Sequence, residues 1–496
     1  MIFSLLINFE NAEIKSIKVI KLNQKLNPLR ILKFGGSCLE DVESFKQITS
    51  IVKRYLKKSK VVVVTSALKG ITDKLIEFYE NSKQFGFYCD MILNEISEIH
   101  MNMVQDLLSS DSEYYTNSIN YINKIIKELS NLGCVVELVR PSKNLKDLII
   151  SYGERLSTYI LNVYLNGLGF NSKFISSDEL IMTDDNFGNA FPLLEETEER
   201  VTQKVTPLFN SNSVDIVCIT GFYGSTSNNK ITTLGRGGTD LSAAIMAYSL
   251  RQNFNCKVIY WKDVKGFLEA DPKIVPNSKL LKKISYLEAK ELAYFGSKVL
   301  HPLCLDVNEK GAIPSEIRSF REPYSSDFTS IVKEQTITKV VIKAISSIAR
   351  LSMVTIQSGT MISLTRTASN LFALLDDNEI YIKFISQSSS ENNITFVIDM
   401  EDSMNVSYLL RNSELFGKQW FSVKIDNDVS LIALIGPGMM YSPGIAGKIF
   451  TVLGDNEINV KAIAQGSSEI NFTAIIDRKD RKKAIISLYN AFIDQK

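Results

Sequence analysis

Val61-Val62-Val63-Val64-Thr65 is an unbroken run of β-branched residues ending at Ser66, and its reading decides the fold. A run with no polar face describes a strand covered on both sides, as in a parallel sheet lying between helices. Ile31-Leu32-Lys33-Phe34 precedes it, and Phe174-Ile175, Val214 to Thr220 and Lys257 to Trp261 repeat the signature after it. Val135 to Val139 is read as a strand on the same ground. Helix-like segments such as Val42 to Leu56 and Asp240 to Leu250 fall between the strands, and residues 81–131 read as a mainly helical lobe beside the sheet. Strands alternating with helices define an α/β domain with a mostly parallel sheet.

In such sheets ligands bind beyond the C-terminal strand ends, so the residues just after each strand are the informative ones. Lys33 and Phe34 run into Gly35-Gly36-Ser37, where glycines admit an anion to the backbone amides and Lys33 brings a positive charge. The alternative for this segment is a plain tight turn. Ser66 and the stretch Gly70-Ile71-Thr72-Asp73 come after the valine strand, and their hydroxyls serve either a ligand or a helix cap. Gly153-Glu154-Arg155 comes after Leu148-Ile149-Ile150; Glu154 suits an ammonium group or, equally, a helix dipole. Gly235-Arg236-Gly237-Gly238-Thr239-Asp240 is the strongest local signal. Three glycines interleave with an arginine at a helix start, which suits phosphate or carboxylate, and Thr239 or Asp240 is placed to cap that helix. Asp263-Val264-Lys265-Gly266 and Asp271-Pro272-Lys273 lie beyond the strand at 257–261, and Lys298 is a further basic candidate; an irregular surface loop and a solvated lysine are the bland readings.

The two histidines, His100 and His301, suit structural positions better than catalysis, and no Ser-His-Asp or Cys-His arrangement suggests itself. That scarcity fits one kind of chemistry. A carboxylate with a pKa near ~3.9 is ionised at neutral pH and attacks without a general base. Its difficulty is repulsion from a phosphate, which lysine, arginine and backbone amides relieve by position and charge.

The C-terminal third contains a duplication. Residues 382–399 (IKFISQSSSENNITFVID) return as 460–477 (VKAIAQGSSEINFTAIID), a shift of 78 when 460 is set against 382. Asp377-Asn378-Glu379-Ile380 recurs as Asp455-Asn456-Glu457-Ile458 and Phe372 as Phe450 in the same register. Each copy reads strand, loop, helix, strand, strand, helix. A duplicated structural module is the bland reading; paired modules of this size also hold ligands at their interfaces.

Length and composition bound the rest. At roughly 100–200 residues per domain, the chain of 496 residues holds two to four domains. The net charge of +1, from 56 basic and 55 acidic residues, offers no footprint for nucleic acid or an anionic membrane surface. Cys38, Cys89, Cys134, Cys218, Cys256 and Cys304 are dispersed, with no CxxC pair, which fits reduced thiols in a cytoplasm rather than disulfides or zinc. Met1 to Phe9 is apolar but short and lacks a basic start, and no stretch approaches the ~20 apolar residues of a membrane span.

Taken together, KFGGS, VVVVTSALKGITD, SYGERLS, GFYGS with LGRGGTDLSAA, WKDVKGFLEADPK and FGSKVLHP resemble, in order, the motifs of the aspartate kinases of the amino-acid-kinase fold. The resemblance covers roughly residues 30–480. It implies that Lys33, Gly35, Gly36 and Ser37 hold ATP phosphates, with Asp240 positioning Lys33. It implies that Ser66, Thr72, Glu154 and Arg236 bind L-aspartate, Arg236 on a carboxylate and Glu154 on the ammonium. Lys262, Asp263, Leu268, Lys273 and Lys298 fall on nucleotide-contacting positions, and magnesium would be bound largely by ATP. Leu268 stands where the family often has tyrosine, Lys273 where arginine is common, and Ser37-Cys38 alters the usual Thr-Ser pair.

The duplication resembles two ferredoxin-like ACT domains, which bind amino acids. Gln387 and Gln465 resemble the glutamines of threonine-sensitive aspartate kinase–homoserine dehydrogenases, which favours threonine over lysine as effector. Gly438, Pro443 and Gly444 keep the second copy's strand-to-helix loop, whereas Thr365 and Arg366 take the Pro-Gly positions of the first. No GxGxxG fingerprint comes after it, so the reading is a kinase-plus-regulatory portion without a dehydrogenase domain. The expected organisation is an extension at 1–29, a catalytic domain at 30–320, a linker at 321–338, and repeats at 339–423 and 424–496. A homo-oligomer through the ACT domains is expected from their exposed sheet edges.

Overall fold

The apolar runs line up as neighbouring strands. The computed structural model describes residues 26–84, 90–139, 142–297, 299–333, 341–358, 364–387, 393–417, 421–466 and 469–494. In chain order the first elements are β1 (Pro28–Phe34), α1 (Val42–Leu56), β2 (Lys60–Thr65), α2 (Ile71–Asn81), α3 (Asp90–Leu107), α4 (Glu113–Leu138) and α5 (Lys143–Gly167). Next come β3 (Ser172–Ile175), α6 (Leu194–Asn210), β4 (Ile216–Thr220), β5 (Tyr223–Ser225), β6 (Ile231–Thr233), α7 (Gly238–Leu250) and β7 (Asn255–Lys262). After these are β8 (Lys283–Ser285), α8 (Tyr286–Tyr294), α9 (Pro302–Lys310), β9 (Ser315–Ser319) and β10 (Phe328–Val332). The duplicated region holds β11 (Ala344–Ser358), α10 (Leu364–Asp376), β12 (Phe384–Gln387), β13 (Asn393–Asp399) and α11 (Ser403–Asn412). It ends with β14 (Phe421–Ile435), α12 (Ile445–Asp455), β15 (Val460–Ala464), β16 (Asn471–Asp477) and α13 (Arg481–Phe492).

The chain divides into two compact units, Met1–Asp263 with Asp306–Tyr324 and Val264–Leu305 with Ser325–Lys496. In the first, strands run in the order β3-β4-β2-β1-β7-β9. Every pairing among them is parallel, with Lys33 opposite Val64 on β2 and opposite Tyr260 on β7. Alternation along each strand serves two faces. Leu32, Phe34, Val61 and Val63 join Phe45, Ile48 and Val52 of α1 and the helical lobe in one core. Ile31 and Lys33 point to the other face, and α7 packs on β1, β2 and β7.

The strand expected at Val135 to Val139 is instead the end of α4. Ile122, Ile125, Leu129 and Val136 of that helix are buried at helical spacing while Val135 and Leu138 face solvent, so period 3.6 overrides a short apolar run.

In the second unit β8 and β10 pair in parallel, so the stretch read as a linker carries a strand at Phe328–Val332. The duplicated region forms one antiparallel sheet in the order β12-β13-β11-β14-β16-β15. The register of 78 holds closely: β13 and β16, α11 and α13 start at matched positions, and Glu379 and Glu457 share left-handed φ values of 57° and 58°. β11 and β14 each serve both copies. Leu351–Gln357 pairs with β13 and packs with the first copy's core, while Ala344–Ile348 pairs with Leu431–Ile435 of β14. Ile342 and Ile345 belong to the second copy's core. The pairing register shifts between Ile348 and Leu351, where Arg350 takes φ 60°. The second copy is thus completed by residues that precede the first, so a plain succession of repeats does not describe the strands.

Candidate active site

Lys33 ends β1 almost wholly buried, 5% exposed, and its ammonium lies 2.7 Å from Asp240 Oδ1. Lys262, the last residue of the neighbouring β7, donates to the other oxygen of Asp240 at 2.7 Å. Asp240 reaches both because α7 begins with a tight backbone approach. Gly237 is the N-cap at φ 77°, and a Cβ on Gly221 would sit 2.3 Å from Thr239 Cγ2. Neither Thr239 nor Asp240 caps this helix; Asp240 is turned to the lysines instead. Burial pushes the Asp240 carboxyl up, but Lys262 and Lys33 outweigh it and hold the group below the usual carboxylate range. Burial lowers the Lys33 pKa, and Asp240 opposes that shift. A Cβ on Gly35 would lie 2.9 Å from the Lys33 ammonium, so glycine leaves that charge room beside the turn at Gly36–Cys38. Ser37 is exposed in that turn, and Asp263, just past β7, is also exposed.

Beside this cluster, the end of β2 meets α5. A Cβ on Gly153 would fall 2.8 Å from Ala67 Cβ, and this close packing brings Glu154 to the strand end. Glu154 Oε1 accepts from the Ala67 N–H at 3.1 Å and the Ser66 hydroxyl at 3.4 Å. Its Oε2 is buried with no hydrogen-bond partner among the described residues. Burial pushes its pKa to about 8, against the pull of those donors. Thr72 is half-buried in the first turn of α2, whose N-cap is Gly70 at φ 82°, so the capping reading of Thr72 is set aside. Arg236 is exposed on the glycine-rich loop and makes no ion pair among the described residues.

Sequence reasoning missed two parts of this region. Lys262 was read only as a nucleotide contact, yet it shares Asp240 with Lys33. Asp147 and the loop 184–191 went unremarked, although an aspartate inside the apolar stretch Leu145 to Ile150, two turns before Glu154, was a usable signal. His100 is buried, its Nδ1 on the Ile96 carbonyl and its pKa lowered to about 4 by burial, which agrees with a structural role.

Leu268 and Lys273 belong to the second unit: Leu268 bridges to Leu280, and Lys273 is exposed with its N–H on Asp271 Oδ1 at 2.9 Å. Lys298 lies outside the described residues. Gln387 and Gln465 are both exposed, which removes the reading of buried amides satisfying the backbone. Gln465, but not Gln387, lines a cavity of about 320 Å³ with Gly466, Asn471, Tyr294, Phe384 and Ile385. Asn471 accepts from the Gly466 N–H and donates to Glu291 of α8. Thr365 and Arg366 are helical, because α10 begins before the position where Gly444 opens α12 at φ 85°.

A parallel α/β sheet with buried lysines and glycine-rich turns at its C-terminal edge defines a class, and the chain belongs to it: the profile of the amino acid kinase family matches residues 28–319, more than half the length. The ACT domain profile matches residues 354–410 and 432–492. The chain is 31% identical, over 94% of its length, to the bifunctional aspartokinase/homoserine dehydrogenase of Buchnera aphidicola, of which it covers 57%. It is 28% identical to the chloroplastic aspartokinase 2 of Arabidopsis thaliana, over 94% of this chain and 84% of that one. The bifunctional relatives are therefore matched over about half their length. Among solved structures, E. coli aspartokinase III in complex with aspartate and ADP superposes with a TM-score of 0.78 at 25% identity, covering 93% of this chain and 99% of that one. The Clostridium acetobutylicum aspartate kinase gives 0.72 at 27% identity, over 94% and 100%.

Proposed function

We propose that the chain is an aspartate kinase, transferring the γ-phosphate of ATP to the side-chain carboxylate of L-aspartate to give ADP and 4-phospho-L-aspartate. The observation that carries this reading is the Lys33–Asp240–Lys262 cluster at the C-terminal strand edge, next to the half-satisfied carboxylate of Glu154. The relatives and structural neighbours of the chain support it.

Two lysines around one aspartate leave a net positive charge among groups already fixed in place. Such a charge offsets the repulsion between an anionic acceptor and the transferred phosphoryl group. Lys33, with Gly35, Gly36 and Ser37, takes the phosphates, and Asp240 holds Lys33 in line. Lys262, Asp263, Leu268, Lys273 and Lys298 serve the nucleotide. On the acceptor side, the free oxygen of Glu154 suits the substrate ammonium, with Ser66 and Thr72 beside it and Arg236 on a carboxylate. Both oxygens of Asp240 are engaged by lysines, and no group of three or more His, Cys, Asp or Glu that could hold a metal occurs among the described residues. Magnesium, which the resemblance gives as bound largely by ATP, would neutralise phosphate charge there.

The reaction is the first step toward lysine, threonine and methionine. We further assign Gln387 and Gln465 to an effector amino acid, threonine before lysine, and expect a cytoplasmic homo-oligomer joined through the ACT domains. Among the described residues no helix is long and apolar enough to cross a membrane. The test is ADP release with ATP, magnesium and L-aspartate, beside L-glutamate, with threonine or lysine added. Release dependent on aspartate is expected, and none from folded protein would overturn the assignment.

A further inference from the structure

Asp147 sits on α5, 2% exposed, and makes no ion pair among the described residues. Its Oδ2 accepts the backbone N–H groups of Gly188 and Thr233, each at 2.8 Å, and its Oδ1 accepts the Thr233 hydroxyl at 2.9 Å. A buried carboxylate without a counter-charge is costly, and these three donors are what hold it there. Burial raises its pKa and the donors oppose the rise.

The donors come from two segments that flank Arg236. Thr233 ends β6, and Gly235 and Arg236 come directly after Leu234. Gly188 precedes Asn189, whose Oδ1 lies where a Cβ on Gly235 would approach to 2.5 Å. The Ala190 N–H also donates to the Thr233 carbonyl at 2.9 Å. Loop 184–191 and the glycine-rich loop are therefore docked on each other, with Asp147 beneath both. Asp147 also precedes Glu154 by two helical turns, on the same face and roughly 10 Å along the axis. One rigid helix thus carries the anchor of the Arg236 loop and the carboxylate with the unmatched oxygen.

We propose that Asp147 is a positioning residue that sets the separation between Arg236 and Glu154, and thereby the fit of the site to the ammonium and carboxylate of its amino-acid acceptor. This rests on the acceptor roles assigned to Arg236 and Glu154 under the proposed function. A substrate held at its ammonium by one and at a carboxylate by the other is bound tightly only at the right distance between them. The helix fixes that distance only while the loop stays tied to Asp147.

The test is Asp147→Asn in the full chain. Asparagine keeps the volume but loses the charge that strengthens these bonds: its one oxygen can accept the two backbone N–H groups, and its N–H₂ turns to the Thr233 hydroxyl, which must accept instead of donating. The KM for L-aspartate should rise about tenfold, as for a lost hydrogen bond to a charged group, while the KM for ATP is unchanged. The Gly188 and Thr233 amides should lose hydrogen-exchange protection. Thr233→Val removes only the hydroxyl donor and should move the same quantities less; it carries the test if Asp147→Asn does not fold. The proposal is overturned if both KM values shift together, or if the amides lose protection while the KM for L-aspartate holds, since Asp147 would then be only a structural clamp. Wild-type protein that releases no ADP with aspartate overturns the functional reading before any variant is made, and this inference with it.

Discussion

The two halves of the site treat buried charge in opposite ways. On the side proposed for phosphate, Asp240 has both oxygens occupied, one by Lys33 and one by Lys262. On the side proposed for the acceptor, Glu154 is equally buried, yet one of its oxygens has no partner among the described residues and its pKa is pushed to about 8. The first half is complete without ligand, so its charges can act on a phosphate with no reorganisation. The second is incomplete, and a cation of the right shape would complete it. A protein tolerates an unpaired buried carboxyl by keeping it protonated, which makes the acceptor half sensitive to pH in a way the phosphate half is not.

That contrast can be broken at several points. The largest effect is expected for Lys33→Ala, which should lower kcat by about a thousandfold with little change in the KM for aspartate, since it removes a preorganised charge from the transferred group. Steady-state ADP release checks it. Asp240→Ala should instead strike stability, by about 3–5 kcal/mol in urea unfolding, because two buried ammonium groups lose their common partner.

Glu154→Gln sharpens the comparison. The KM for aspartate should rise about 10- to 100-fold for the lost charge-assisted bond. The urea midpoint at pH 8 should nevertheless hold or increase, since the amide is spared the ionisation that burial opposes. A drop in stability matching that of Asp240→Ala would show that both carboxylates are structural.

The pH dependence has a definite sign. The folded-state value of about 8 lies above the ordinary 4.5, so free Glu154 holds its proton at neutral pH. Pairing with an ammonium requires losing it. Aspartate binding should therefore release a proton and tighten as pH rises, by up to about tenfold per unit, levelling off above pH 8. Calorimetry in buffers of different ionisation enthalpy reads that proton, and Glu154→Gln should abolish its release. The smallest change is expected for Gln465→Ala, which should raise the threonine concentration needed for half-inhibition; an unchanged curve would remove Gln465 from effector binding.

How much of this was legible depended on whether local pattern and tertiary demand agreed. β1, β2, β4 and β7 were readable because strands buried on both faces have no polar side to confuse them. The duplication was readable down to Glu379 and Glu457, because one backbone geometry recurs with one sequence register. Val135 to Val139 was misread, since five apolar residues fit either period and only the buried residues further up α4 decide it. The start of α7 divides two readings: local chemistry offers Asp240 as a cap, the resemblance puts it on Lys33, and in the fold two lysines from strands distant in sequence hold it. The three donors on Asp147 come from segments 41 and 86 residues away along the chain, so its partners could not be read locally.

The shared strand β11 bears on how the chain comes off the ribosome. Ala344–Ile348, whose Ala344 and Ile345 are buried in the finished sheet, emerges before any of the first copy, and its partners Leu431–Ile435 emerge after nearly all of it. The first copy can close around its own residues as they appear. The second has an early strand that must wait for late ones, with an apolar edge open to mispairing in the interval. A cut placed between the two copies would separate that strand from the sheet it completes, leaving a C-terminal fragment with a vacant edge.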